Sequence, residues 1–365
     1  MNELITSILT LAGLGAALAL LLVIAERYLA NYGEVTIRVN DDRDLKAQGG
    51  ASLLSTLMTK KIFIPSACGG RGTCAYCKVK VKEGGGPVLP VEEPYLTPAE
   101  RADGVRLSCQ VKVRNDMQIE IPEELFAIRQ YRATVERITD LTYDIKELRL
   151  KLIEPTSIKF KSGQYVQLET PVYEKNKEPC YRAYSISTAP SESGVVELIV
   201  RLVPNGICTT WVFQYLKEGQ EVRFSGPYGE FKIRPTDRKI VFVAGGSGFA
   251  PIKAMIQGQA EEINRRTARF FFGARALKDL FHVEFMKKIR EKYPNIEFIP
   301  ALSMPDPEDK WEGETGLITA ILDRHLADAS NTEFYLCGSP GMIDACVKVI
   351  HGKGVGNDLI FFDKF

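Results

Sequence analysis

The sequence predicts a multidomain chain: an apolar N-terminal helix, a small mixed domain around a cysteine loop, an antiparallel β-barrel and a parallel α/β domain. Three observations carry that prediction. Residues 4–25 contain no charge; four cysteines, Cys68, Cys74, Cys77 and Cys109, form one constellation; and after Asp237 short β-branched runs give way to alternating strands and helices. The 365 residues suffice for two or three domains, and 45% hydrophobic with 25% charged residues is an ordinary globular balance. A formal net charge of +1 without a long basic run leaves no electrostatic footprint for nucleic acid.

The uncharged residues 4–25 would form a helix about 33 Å long, close to the hydrocarbon thickness of a bilayer. A signal peptide would need a basic leader, which Met1 to Glu3 do not supply. Glu26 and Arg27 close the apolar run, and basic residues follow it instead of preceding it. The expectation is a single-pass anchor in the inner (cytoplasmic) membrane, with the remaining domains in the cytoplasm. Gly13 with Ala17, and Gly15 with Ala19, place small residues one turn apart, a spacing that lets another helix approach.

The cysteines read CGGRGTCAYC, with Cys109 far downstream. Two irons a few ångström apart need three thiolates from one tight loop and a fourth from a distant strand end, so the spacing predicts a 2Fe-2S cluster. Structural zinc sites usually present two short CxxC pairs, and here Cys74 and Cys77 form one. Gly69, Gly70 and Gly72 allow the backbone to curl and turn its N–H groups inward. The other cysteines, Cys180, Cys208, Cys337 and Cys346, are scattered, which suits a reducing compartment and not a disulfide framework. Around the loop, strands are expected at 34–39, 79–81 and 117–121, and a helix at 53–59.

The C-x5-C-x2-C spacing resembles that of vertebrate-type ferredoxins and of the ferredoxin domain in the NADH-oxidising F subunit of sodium-translocating NADH:quinone oxidoreductases. The strand, helix, loop and strand order resembles the β-grasp fold. That resemblance extends along nearly the whole chain.

Residues 132–234 carry β-branched runs at 146–152, 164–168, 195–202 and 221–225 between Gly and Pro, the pattern of a small antiparallel barrel. Within it Arg182, Ala183, Tyr184 and Ser185 spell RAYS, similar to the flavin-binding RxYS motif of the ferredoxin-NADP reductase superfamily. Arg can pair with a pyrophosphate, Tyr offers a flat face to an isoalloxazine, and Ser can bond near its hydride-accepting nitrogen. GICTTW, holding Gly206, Thr209 and Thr210, resembles that superfamily's pyrophosphate-binding helix start, and GPYGEF at 226–231 resembles its closing turn. The full helix start implies FAD in preference to FMN.

In KIVFVAGGSGFAP a buried strand at 240–244 runs into Gly245, Gly246 and Gly248, with a helix expected near Pro251: a phosphate cradle for NADH. Further strands are expected at 270–272, 297–300 and 334–337. LCGSPGM resembles the nicotinamide-side motif, which implies that Cys337 lies near the hydride-bearing carbon and that Gly338 permits close approach; Cys337 also reads as a buried core residue. Arg275, like Lys278, follows a strand where a ribose or a 2′-phosphate would sit. The resemblance further implies that Phe365 in FFDKF covers the flavin, and that Asp363 orients the nicotinamide or the flavin.

These readings divide the chain into an anchor (1–28), a 2Fe-2S domain (34–126), a FAD barrel (130–235) and an NADH domain (238–365). The resemblance implies hydride transfer from NADH to FAD at Ser185, Cys337 and Phe365, then single electrons to the cluster and to membrane redox subunits. Because the ETPVYEKNKEPCY connection is shorter than in that family, a stand-alone anchored reductase serving an oxygenase or another electron-accepting protein is the alternative.

Overall fold

A computed structural model of the chain describes residues 2–29 and 32–364, in two compact units that divide between Ala127 and Ile128. The helix α1 runs from Asn2 to Leu29. Among the described residues no helix is long and apolar enough to cross a membrane.

The rest of the first unit is a five-stranded mixed sheet: β1 (Glu34–Val39), β2 (Arg43–Gln48), β3 (Lys78–Glu83), β4 (Val105–Leu107) and β5 (Met117–Glu120), in the order β2-β1-β5-β3-β4. The β1–β5 pair is parallel and the others antiparallel, which is the β-grasp arrangement. Two short helices belong to the unit, α2 (Leu53–Thr59) and α3 (Pro98–Ala102). The Ser52 hydroxyl caps α2 by accepting from the Ser55 N–H, and Leu53, Leu54 and Leu57 join the sheet's core with Ile37, Val39 and Ile119. Alternation made β1 readable; the β2 sequence RDLKAQ, mostly solvent-facing, carries no such signal.

The second unit begins with six antiparallel strands: β6 (Arg129–Asp140), β7 (Ile145–Glu154), β8 (Tyr165–Thr170), β9 (Cys180–Ser185), β10 (Val195–Arg201) and β11 (Glu221–Tyr228). Their order is β10-β7-β6-β11-β8-β9, and the Ile186–Leu198 bridge brings the last strand back to the first, closing the barrel. The longest, β6, escaped the sequence reading because RQYRATVERITD mixes charges into its apolar alternation. One helix, α4 (Ile207–Gln214), follows β10.

Beyond the barrel lie β12 (Lys239–Gly245), β13 (Ala268–Ala274), β14 (Ile296–Leu302), β15 (Glu314–Thr315), β16 (Thr332–Gly338) and β17 (Ile360–Lys364), all parallel, in the order β15-β14-β13-β12-β16-β17. The connecting helices are α5 (Phe249–Arg266), α6 (Val283–Lys292), α7 (Ile318–His325) and α8 (Pro340–Gly352). The order reverses between β12 and β16, and ligands of such sheets bind at the carboxyl ends of the strands beside that point. The core is aromatic, with Phe242, Phe249, Phe270 and Phe272 fully buried.

Candidate functional site

In the cysteine loop the thiols meet as two pairs. Cys68 contacts Cys74, and Cys77 contacts Cys109. Among the described residues no three His, Cys, Asp or Glu side chains converge on a point that would hold one metal ion. Two adjacent thiol pairs suit a binuclear centre, in which each iron takes two sulfurs from the protein. Backbone conformation produces the arrangement: Gly69, Gly70 and Gly72 have φ of 65°, 87° and 75°. The turns direct N–H groups of Thr73 and Arg71 at Cys68, of Tyr76 at Cys74 and of Gly72 at Cys109. Contact with Cys74, reinforced by the Thr73 and Arg71 N–H groups, holds the Cys68 thiol well below its ordinary value. Gln110 Nε2 donates to Cys109 Sγ at 3.3 Å. A thiolate-bound cluster fits this donor set.

A buried ion pair that the sequence reading missed supports Cys109. Arg106 Nη2 donates to Glu92 at 2.7 Å, and its Nη1 donates to the carbonyls of Gly85 and Gly86 at 2.9 and 2.8 Å. Glu92 also accepts from the Leu89 and Leu107 N–H groups, each at 2.9 Å. The pair pins the GGGPVLP loop under β4, three residues before the fourth cysteine. A Glu far from its Arg in sequence gives no pattern to read.

In the barrel, RAYS lies on β9, paired with β8. Arg182 Nη1 donates to its neighbour's carbonyl, Tyr181, at 2.7 Å, while the Tyr184 hydroxyl meets Cys208 Sγ at 3.3 Å and is pushed well above its ordinary value by burial. Cys208, inside the GICTTW string, is thus a support for Tyr184. Ser185 closes the strand and is nearly buried. Gly206 caps α4 with no room for a side chain, since a Cβ would lie 2.5 Å from Thr209 Oγ1. That Thr209 hydroxyl bonds the Val203 peptide at 3.2 Å and shapes the turn, while Thr210 is buried and receives Lys175 Nζ at 3.5 Å. The short connection packs on the same helix, with Tyr173 donating to the Ile207 carbonyl at 2.6 Å.

At the switch point the two glycine strings face each other. A Cβ on Gly248 would lie 2.1 Å from the Cys337 carbonyl oxygen, and one on Gly338 (φ 145°) 3.2 Å from that of Gly245. Gly246 to Gly248 form a single tight turn that runs directly into α5, so the helix starts at Phe249 and Pro251 lies inside its first turn. Arg201 from the barrel, held by Asp144 at 2.9 Å, brings Nη1 within 3.2 Å of where a Gly246 Cβ would stand. The Cys337 thiol is fully buried and pushed well above its ordinary value by burial and by Asp363, its partner across β16 and β17. Burial raises the Asp363 carboxyl to about 6. Arg275 is exposed just past β13, and Lys278 Nζ stands 5.6 Å over the Tyr143 ring. Phe365 lies outside the described residues.

Three domain families match the chain: the 2Fe-2S iron-sulfur cluster binding domain at 37–114, the oxidoreductase FAD-binding domain at 132–233 and the oxidoreductase NAD-binding domain at 242–348. Among curated relatives, the F subunit of the Na(+)-translocating NADH-quinone reductase of Marinomonas sp. (strain MWYL1) is 37% identical, over 100% of this chain and 98% of that one. The corresponding protein of Neisseria gonorrhoeae is 36% identical over 100% and 99%, and that of Pseudomonas aeruginosa (strain UCBPP-PA14) 38% over 95% of each. The Marinomonas alignment extends over 403 positions against 365 residues here, so that relative carries segments this chain lacks. Among solved structures, the Amycolatopsis cytochrome P450 reductase GcoB is 28% identical with a TM-score of 0.71, covering 91% of this chain and 98% of that one. The ferredoxin reductase in carbazole 1,9a-dioxygenase is 26% identical with a TM-score of 0.68, at the same coverage.

Proposed function

Because the chain belongs to the family of Na(+)-translocating NADH-quinone reductase F subunits, we propose that it is the electron-input component of a membrane complex of that type. It is an NADH-dependent flavin iron-sulfur oxidoreductase that uses NADH, FAD and a 2Fe-2S cluster. The observation that carries the proposal is the full-length match of a single chain holding all three cofactor modules. When bound, these groups supply a hydride donor, a converter from electron pairs to single electrons, and a one-electron acceptor.

The protein's part is to hold them. Cys68, Cys74, Cys77 and Cys109 hold the cluster as two thiol pairs inside a ring of N–H donors. Arg182, Tyr184 and Ser185 on β9, with the Gly206 helix start and Thr210, hold FAD; Thr209 shapes the turn beneath it. Gly245, Gly246 and Gly248 cradle the dinucleotide phosphates, Gly338 lets it approach, and Cys337 with Asp363 backs the nicotinamide. Arg275 faces the adenosine ribose, and NADH is preferred over NADPH. Phe365 closes over the flavin. The division at 1–28, 34–126, 130–235 and 238–365 follows those roles.

Helix α1 anchors the chain once in the inner membrane and keeps the redox domains cytoplasmic. The exposure of Leu9, Leu11, Leu14, Leu18 and Leu21 along it supports that reading. The second reading, a reductase serving an oxygenase, is favoured by the short connection before RAYS and by the likeness to the two solved reductases. Deleting residues 1–28 separates the two. The truncated protein should still reduce ferricyanide with NADH, but its transfer to quinone in membranes lacking the native chain should fall sharply, because each encounter becomes bimolecular. Undiminished quinone-linked transfer by the truncated chain would show the helix to be dispensable for partner coupling and would favour a soluble-type, stand-alone reductase over a complex subunit.

A further inference from the structure

Between the barrel and the parallel sheet of the second unit lies a buried charge cluster that none of the cofactor roles uses. Lys253, on the first turns of α5, is about 5% exposed, and its Nζ donates to Glu147 Oε1 on β7 at 2.7 Å and to Glu197 Oε2 on β10 at 3.0 Å. His282 Nε2 lies 3.1 Å from the same Glu147 oxygen, and Arg149 donates to Glu197 at 2.7 Å. His282 is held at φ 55° with its ring 5.4 Å from both Phe249 and Phe281. The surroundings are apolar, since Ile145 and Ile199 of the barrel pack into the same core as Phe249. Burial works to raise the Glu147 carboxyl, but the His282 bond and the Lys253 charge prevail and hold it at about 2.

Buried ion pairs are poor sources of net stability, and their strength is directional: a small slide leaves a desolvated charge unpaired, so one register is preferred over its neighbours. Lys253 lies five residues beyond Gly248 on a helix that continues the glycine turn without a break. Fixing Lys253 against two adjacent barrel strands therefore fixes where the glycine turn stands over the barrel. Hydride transfer requires reacting atoms about 3–3.5 Å apart, and a displacement of about 1 Å costs on the order of 100-fold in rate.

We propose that Lys253 is a positioning residue for hydride transfer, locking the dinucleotide-binding turn in one register on the flavin barrel through Glu147, Glu197 and His282. The proposal rests on the NADH and flavin reading above. Its test uses the full chain carrying FAD and cluster, with Lys253→Met compared to Lys253→Arg. Three quantities are followed: the limiting rate of flavin reduction at saturating NADH, the affinity for ADP-ribose, and amide hydrogen exchange over residues 245–256.

Lys253→Met should slow the limiting rate about 10- to 100-fold and speed exchange over that segment, with ADP-ribose affinity within about threefold of native. Lys253→Arg, which keeps the charge, should return the rate to within about threefold. A limiting rate within about twofold of native in Lys253→Met, or unchanged exchange, overturns the lock. If Lys253→Met does not accumulate as folded protein, His282→Gln replaces it. That variant should slow the limiting rate about three- to tenfold, and a rate within about twofold of native overturns the proposal. A native chain that does not bind ADP-ribose would refute the NADH reading itself, whereas native binding with an insensitive Lys253 variant refutes the lock alone.

Discussion

The cluster loop and the dinucleotide turn both depend on glycine, for opposite reasons. Gly70 sits at φ 87° with the nearest neighbour of an added Cβ, that of Cys109, 4.0 Å away: there is room, but the backbone conformation is left-handed. Gly248 has an ordinary φ of −60°, yet its Cβ would lie 2.1 Å from the Cys337 carbonyl, more than eighty residues away in sequence. The first glycine answers to its own torsions, the second to a strand that arrives from elsewhere. A site curled from one loop is therefore written in consecutive residues, while a site at a switch point is written in contacts.

The largest effect tests the loop. Cys74→Ser should abolish the cluster, read as iron and sulfide per chain and as the reduced-state paramagnetic signal, while FAD is retained. Stoichiometric zinc in the native protein would remove the binuclear reading altogether.

Next comes the contact-limited turn. Gly248→Ala must displace backbone, not a flexible side chain, so NADH-driven flavin reduction should fall about 100-fold or more with FAD and cluster content preserved. A rate within tenfold of native would show that the turn yields more easily than its packing implies.

Glu92→Gln asks how far the loop leans on tertiary support. It leaves Arg106 buried without its charge partner and should destabilise the first unit by about 3–5 kcal/mol, measured by denaturant unfolding with the cluster absorbance as probe. Burial opposes ionisation of Glu92, but Arg106 and the Leu89 and Leu107 N–H groups hold its carboxyl below the ordinary 4.5. Its contribution is thus complete above pH 4.5 and is lost as pH falls through the lower folded value. Native protein should show that acid-dependent loss of stability, and the Gln variant should lack it.

Tyr184→Ala should weaken FAD by about tenfold through lost stacking, with cluster content unchanged. Equal flavin affinity in titrations of the two proteins would take the ring out of the site.

The smallest change is Gly70→Asn, since Asn tolerates the left-handed region: the cluster should persist at a cost of about 1 kcal/mol. Loss as complete as in Cys74→Ser would mean that contact, not torsion, governs this glycine too.

The succession of a small mixed domain, an antiparallel barrel and a parallel α/β domain, the C-x5-C-x2-C loop, RAYS and the two glycine strings were legible in the sequence, whereas the strands β2 and β6 were not. The domain succession and the cysteine loop depend on periodicities and torsions that neighbouring residues decide among themselves, while RAYS and the glycine strings were readable as short contiguous strings resembling those of a known superfamily. The closure of the barrel through Ile186 and Leu198, the Arg106–Glu92 pair under Cys109, the support of Tyr184 by Cys208 and the Lys253 cluster were not. Each joins residues whose separation along the chain has no period, and whose pairing is selected by burial, where an unpartnered charge or peptide group is too costly to remain. Which chemistry the loops can hold is settled residue by residue along the chain, because thiolate spacing and glycine torsions are local. How firmly those loops are presented, and in what register, depends on partners that only the folded core brings together.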